Sequence, residues 1–422
     1  MVKIVFVCYF VLLMLRPHEF LPQLQQVPQV PLLQYVLLTG MLAWLFRADK
    51  GLAQPQFKLL VPFLIVVWIG MGLNGWWGGI VKAVDQLLPP IFFFILASGA
   101  VRSLRQLHFF MVLLLACACV LVLHGHYQLQ TGVGWTGSLP IEGRITYSGI
   151  FNDPNDLGLV FVMSLAICLY LAGLVQSFLI RLAVFAAFGW VGYGIILTNS
   201  RGTMLASLVV IGYFVHRRYG RTGLMVSAMA AVPVLLATTR LAQLDSDEES
   251  AEGRLDAWYE GIQLLISHPV FGVGYSNFSD YNRLTAHNSL VLAMAELGLV
   301  GYAIWLAFVA LSGYMLYWLG FRCESWLKSQ GRELTPAIAS ELAASRALAV
   351  AALGFATGAF FLSQSYKYML FLTCGLAVGR YLGVSQVVGP LPKLGFFSHF
   401  PRLMALVFGS ILGLYVLVRL AL

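Results

Sequence analysis

The sequence predicts an all-α fold: a polytopic membrane bundle of about 12–13 transmembrane helices, with one large extramembrane loop holding short amphipathic helices. Three observations lead there. The 422 residues are 59% hydrophobic and only 10% charged, a balance that no soluble globular chain of this size shows. Apolar runs long enough to enter a bilayer recur from one end to the other. A single long polar interruption, 240–288, stands among them.

The runs fall at 4–15, 31–46, 57–74, 86–100, 108–123, 155–175 and 178–198, and then at 202–217, 222–238, 289–319, 347–362, 368–384 and 403–422. The first follows Lys3 and is succeeded by Arg16, Pro17 and His18 without a small-residue cleavage pattern, so it reads as a retained span. No soluble domain fits between the spans and no repeat of fixed period is visible, so residues 1–422 are expected to form one bundle. Five cysteines (Cys8, Cys117, Cys119, Cys168 and Cys374) lie inside apolar runs, with neither a disulfide framework nor a zinc spacing.

The formal charge of +8 comes without a basic block or interleaved aromatics, which argues against nucleic acid. Its distribution orients the chain instead. Short connections such as His216-Arg217-Arg218-Tyr219-Gly220-Arg221 gather cations and alternate with acid-bearing ones, which puts the N-terminus inside and loop 240–288 outside. Connection 125–154 and the break Thr198-Asn199-Ser200-Arg201-Gly202 fall on that same outer side. In the first, Asp153-Pro154-Asn155-Asp156 reads as a turn into a helix start, because proline at the first helical position needs no amide partner.

Within the large loop, 246–252 is an acidic run with the composition of a solvated face. From Arg254 onward, Leu255, Trp258, Tyr259, Ile262, Leu265 and Ile266 recur at helical steps, which predicts an amphipathic interfacial helix stopped by Pro269. Gly272-Val273-Gly274-Tyr275 follows as a tight turn.

Arg201 is the foremost candidate for chemistry. No acid lies between Asp156 and Asp245, so an arginine at the membrane edge here either snorkels to headgroup phosphate or, half-buried, clamps an anionic ligand with its rigid fork. Arg254 either pairs locally with Asp256 or Glu252 or faces the same ligand. Arg144 ranks between these and the weaker Arg283 and Arg240. His287, where the loop meets the next span, is either structural or a proton acceptor. His124 and His126 have no carboxylate or cysteine nearby to complete a metal site, and none is expected.

These residues carry a resemblance. TNSRG, then GRLDAWYEGIQLLISHPVFGVGYSNF, then TAHNSLVLAMAELGLVGYAIW resemble the O-antigen ligase superfamily of ligases, polymerases and protein O-oligosaccharyltransferases, and SGIFNDPNDLG is similar to a segment of many members. The likeness is specific over 147–305. It implies a bacterial inner-membrane enzyme with its active site on the periplasmic face. That enzyme would be a metal-independent, inverting glycosyltransferase without cofactor, moving a glycan from undecaprenyl diphosphate to an acceptor hydroxyl.

By motif the resemblance assigns Arg201, Arg254 and His287 to catalysis, with Arg144, Asn155, Tyr275, Arg283 and Asn288 as further candidates for holding the diphosphate or glycan. Its periplasmic loops would be 240–288 and 125–154. Ligase-type transfer to lipid A core is the first expectation and polymerisation of lipid-linked repeats the second. His287 serves either as base or to orient the acceptor. A lipid-linked glycan transporter is the rival class, and it predicts paired repeats with broken helices at the bilayer midplane.

Overall fold

The computed structural model describes residues 1–24, 29–238, 244–283 and 285–421. Arg240, one of the weaker sequence candidates, lies outside them. The described chain is helical, in the order α1 (Val2–Leu15), α2 (Gln29–Leu45), α3 (Pro55–Leu73), α4 (Gly79–Ala100), α5 (Leu104–Thr131), α6 (Pro154–Leu174) and α7 (Phe178–Thr198). There follow α8 (Arg201–Thr238), α9 (Leu244–Ser267), α10 (Phe278–Tyr281), α11 (Ser289–Tyr317), α12 (Cys323–Ser329), α13 (Pro336–Phe360), α14 (Tyr368–Val388) and α15 (Phe400–Ala421). Among the described residues nine helical segments are long and apolar enough to cross a membrane, and two shorter apolar helices accompany them near the N-terminus. On α7 the large side chains Phe178, Leu179, Ile180, Leu182 and Phe185 are exposed, a surface that lipid covers and water does not. The protein is an integral membrane protein.

The chain forms two compact units. The first comprises Met1–Ala43, Ala100–Ala242 and Leu316–Gly358. Its centre is α6, whose residues from Pro154 to Cys168 are all buried against α5, α7 and α8. Small residues allow that closeness: Gly158 faces Thr203, Gly194 faces Val122, and Gly354 lies against Val162 and Val210. The second unit comprises Trp44–Gly99, Gln243–Met315 and Ala359–Leu422. A file of aromatic rings runs through it, from Trp44 to Phe57 (6.0 Å), Phe94 (5.2 Å), Phe308 (5.2 Å) and Phe371 (5.6 Å).

Three element boundaries differ from the sequence expectation. Helix α9 begins at Leu244, so the acidic run is the first half of the amphipathic helix and no separate segment. Helix α5 continues to Thr131, which shortens the connection before α6 to 132–153. The two runs at 202–217 and 222–238 are joined without a loop, through a non-helical Gly220 (φ 66°, ψ −158°).

A further break is invisible in the hydropathy. Run 289–319 is interrupted at Gly298 (φ 63°, ψ −171°), in a region of backbone space that only glycine enters readily. In an unbroken helix the amides of Leu299 and Val300 would bond the carbonyls of Ala295 and Glu296. Here the turn after α9 takes both halves of those bonds. Val273 and Gly274 donate to the Ala295 and Glu296 carbonyls (3.0 and 3.1 Å), while Leu299 and Val300 donate to the carbonyls of Pro269 and Val270 (2.8 and 3.2 Å). The fit is backbone against backbone: a Cβ on Gly298 would meet the Gly272 nitrogen at 2.5 Å.

Replacing Gly298 with alanine is expected to cost about 1–3 kcal/mol from the forbidden backbone region, with further loss from the clash. Gly75→Ala is the control, since its φ is also positive (75°) but its Cβ would meet nothing within 4 Å. Thermal unfolding of both variants in detergent should show the larger drop for Gly298→Ala.

Candidate functional site

In the first unit the polar residues gather where α7 gives way to α8. Thr198 ends α7, Asn199 takes a left-handed conformation (φ 45°), and Ser200 caps the next helix, its Oγ accepting from the Thr203 amide (3.3 Å) and hydroxyl (2.9 Å). Arg201 is then the first residue of α8. The structure places it on the surface, the exposed one of the two alternatives that the sequence left open, because a first-turn side chain at a helix start points away from the packed body of the helix. The helix dipole makes that terminus receptive to an anion.

Arg144 and Asn155 support this corner. The Arg144 guanidinium donates to the Thr198 carbonyl (Nε, 2.8 Å) and to Asn155 Oδ1 (2.9 Å). Asn155 in turn donates from its backbone and side chain to Asp153 Oδ1 (2.8 and 2.7 Å), and Asp153 caps α6 with Pro154 at its first position, as the sequence predicted. The Ile145 amide bonds the Leu197 carbonyl (3.2 Å). Two polar connections far apart in sequence are thereby tied together, which agrees with their assignment to one face of the membrane.

The second unit repeats the construction. His287 adopts a left-handed conformation (φ 46°), and Asn288 Oδ1 caps α11 by accepting from the amides of Leu290 (2.8 Å) and Val291 (3.1 Å). Asn288 is fully buried and His287 half-buried. The 361–367 connection closes over this start: Ser289 Oγ donates to the carbonyls of Ala359 and Leu362, and the Thr285 and Ser363 hydroxyls bond at 2.7 Å. Arg254 is half-buried on α9, one turn before Trp258, whose ring packs on Phe360 (5.7 Å). Arg283 is exposed.

Tyr275 is buried and donates to Gln86 Oε1 (3.3 Å), and its ring meets Tyr366 edge-on at 4.9 Å. Burial pushes the Tyr275 and Tyr366 phenols up from the ordinary tyrosine value, and the Glu296 carboxylate adds to the effect, so both hydroxyls remain donors across any working pH. These groups line a cavity of about 310 Å³ that also includes Ser276, Thr285, Glu296 and Lys367. Sequence reading passed over Glu296, Tyr366 and Lys367. The first stands inside an apolar run and the others in a connection of a few residues; the signal available was a lone carboxylate in a membrane span.

Among the candidates, then, Arg144, Asn155 and Arg201 belong to the first unit, and Arg254, Tyr275, Arg283, His287 and Asn288 to the second. Among the described residues no three His, Cys, Asp or Glu side chains are grouped as metal ligands would be.

The described chain is thus an all-α integral membrane protein with two capped helix starts in its polar connections, one led by arginine and one preceded by histidine. Residues 183–306 match the family described as O-Antigen ligase. The match covers Arg201, Arg254, Tyr275, Arg283, His287, Asn288 and Glu296, and begins after Arg144 and Asn155. No curated protein matches the chain.

Asn288→Ala removes two cap bonds and should lower stability by about 0.5–2 kcal/mol, whereas Asn288→Ser, which retains an acceptor oxygen, should recover most of it. Denaturation midpoints of the purified variants test this.

Proposed function

We propose that the protein moves a glycan from an undecaprenyl diphosphate carrier to an acceptor hydroxyl on the periplasmic side of the bacterial inner membrane, with lipid A core as the acceptor. The observation that carries this reading is the pair of helix starts, at Arg201 and at His287-Asn288, inside the stretch that matches the O-antigen ligase family.

The chemistry follows from charge. His287 takes the proton of the acceptor hydroxyl as its oxygen attacks the anomeric carbon. The bond from that carbon to the phosphate oxygen breaks, and the carrier diphosphate leaves with the bonding pair. One displacement inverts the anomeric centre. Negative charge grows on the leaving diphosphate, and an arginine stabilises it; the family motif points to Arg201, at the positive end of α8, and to Arg254 for that role. Arg144 and Asn155 hold the α7–α8 corner in place, and the reaction draws on no metal.

A transporter would share the broken helix α11. In transporters, however, such breaks leave backbone groups to line a substrate path. The carbonyls of Ala295 and Glu296 and the amides of Leu299 and Val300 are instead all bonded to the 269–274 turn, which favours the enzyme.

Arg201→Ala, Arg254→Ala and His287→Ala should each insert normally and lose transfer. For His287 the expected loss is about 10²- to 10⁴-fold, the contribution of a positioned general base. Product formation from a lipid-linked glycan, offered with lipid A core and separately with a second lipid-linked repeat, is the measurement. Wild-type rates in all three variants would overturn the mechanism, and product only with the second repeat would make the protein a polymerase. Transfer should also persist in excess chelator; activity lost there and restored by a divalent ion would contradict the metal-free step.

A further inference from the structure

The cavity of the second unit is built from groups that the proposed displacement does not use. Its wall is formed by the turn after α9, by the half of α11 that precedes Gly298, and by the 361–367 connection. Glu296 lies in it, 3% exposed. One carboxylate oxygen, Oε1, accepts from the Phe278 amide at 3.2 Å, and the Ser276 amide faces the same group. The other, Oε2, has no hydrogen-bond partner of ordinary geometry among the described residues, and neither has the buried Tyr366 hydroxyl, although the two side chains interact with each other. A buried carboxylate oxygen and a buried phenol that meet only in a loose contact are costly to hold in that state without a further ligand group.

The remaining lining narrows the ligand. Tyr275 and Tyr366 offer ring surface; Ser276, Thr285 and Ser363 offer hydroxyls that donate or accept; Lys367 offers an ammonium. Apolar ring faces interspersed with hydroxyl, carboxylate and ammonium groups match a pyranose, which has C–H faces and an equatorial rim of hydroxyls. At about 310 Å³ the space suits one or two sugar rings.

We infer that this cavity is a saccharide-binding pocket in which Glu296 Oε2 and the Tyr366 hydroxyl grip one sugar hydroxyl between them, Glu296 accepting its proton and Tyr366 donating to its oxygen. The assignment rests on the glycosyl-transfer reading for its substrate and adds the residues that select it. The sugar belongs to the donor glycan or to the acceptor, and the two sources present the same chemistry.

The test uses full-length protein in nanodiscs and two soluble probes from the cells that make it: glycan released by mild acid from the lipid-linked pool, and delipidated core oligosaccharide. Isothermal titration should show saturable binding of one probe to the wild type, which identifies the source. Tyr366→Phe removes a hydroxyl whose contact with Glu296 falls short of ordinary hydrogen-bond geometry, so it should leave the unfolding temperature nearly unchanged while weakening that binding about tenfold. Glu296→Gln retains an acceptor for the Phe278 amide and should weaken it at least as much, raising KM more than it lowers kcat. A merely structural tyrosine would bind sugar as well after Tyr366→Phe as before. Unchanged affinity in Tyr366→Phe, or no binding of either probe to the wild type, would overturn the pocket assignment even if transfer proceeds. Binding that both substitutions abolish, in a protein that transfers nothing, would leave the pocket standing and remove the transferase reading instead.

Discussion

Inside a bilayer no water is available to an unpaired amide or carbonyl, so wherever a helix breaks, the freed groups must find partners in the protein. In the second unit the break at Gly298 meets this demand through the turn at 269–274, which accepts from two amides and donates to two carbonyls that a continuous helix would have paired with each other. Much else follows from that exchange. It holds the end of α9 against α11, and Asn74 ties the α3–α4 connection to the same turn through the Gly272 carbonyl at 3.0 Å. It also fixes where Tyr275 and Glu296 stand. Gly272 and Gly298 are required because the two backbones approach too closely for any side chain between them.

The two helix starts show how a membrane protein can present polar side chains at its surface. Each spends one left-handed residue, Asn199 or His287, to reverse the chain, and one capping residue, Ser200 or Asn288, to satisfy the first amides of the following helix. That local strain is offset by the cap and by the connections that close around it: 132–153 in the first unit, 361–367 in the second. The outcome is that polar side chains stand at helix N-termini, where the dipole complements a phosphate or a developing negative charge.

Much of this is legible in the chain itself. The spans are visible because a charge-poor apolar stretch of bilayer length is stable only where lipid or protein surrounds it, and the cap at Asp153-Pro154 because proline at a helix start carries a local signature. The amphipathic periodicity from Leu255 also appears as expected, with Trp258, Ile262 and Leu265 buried and Tyr259 and Ile266 exposed. The start of α9 at Leu244 is hidden by the acidic run, since charge composition reports solvation and says little about backbone conformation. Arg144, a candidate ligand contact in the sequence, braces the α7–α8 corner in the structure, because a guanidinium serves backbone carbonyls and amides as readily as phosphate.

By itself the sequence determined the class of the protein, most of its helical segments and the motifs through which residues 183–306 match a known family, since each of these is written in local composition or in contiguous residues. Only the tertiary structure decided that one apolar run is two half-helices wedged apart by a distant turn, and that Glu296, Tyr275 and Tyr366, separated by up to 91 positions along the chain, line one cavity. The reason is physical. Hydropathy averages over a window and cannot register one glycine or one carboxylate within it, whereas a hydrogen-bond exchange between two backbones depends on which segments meet in space.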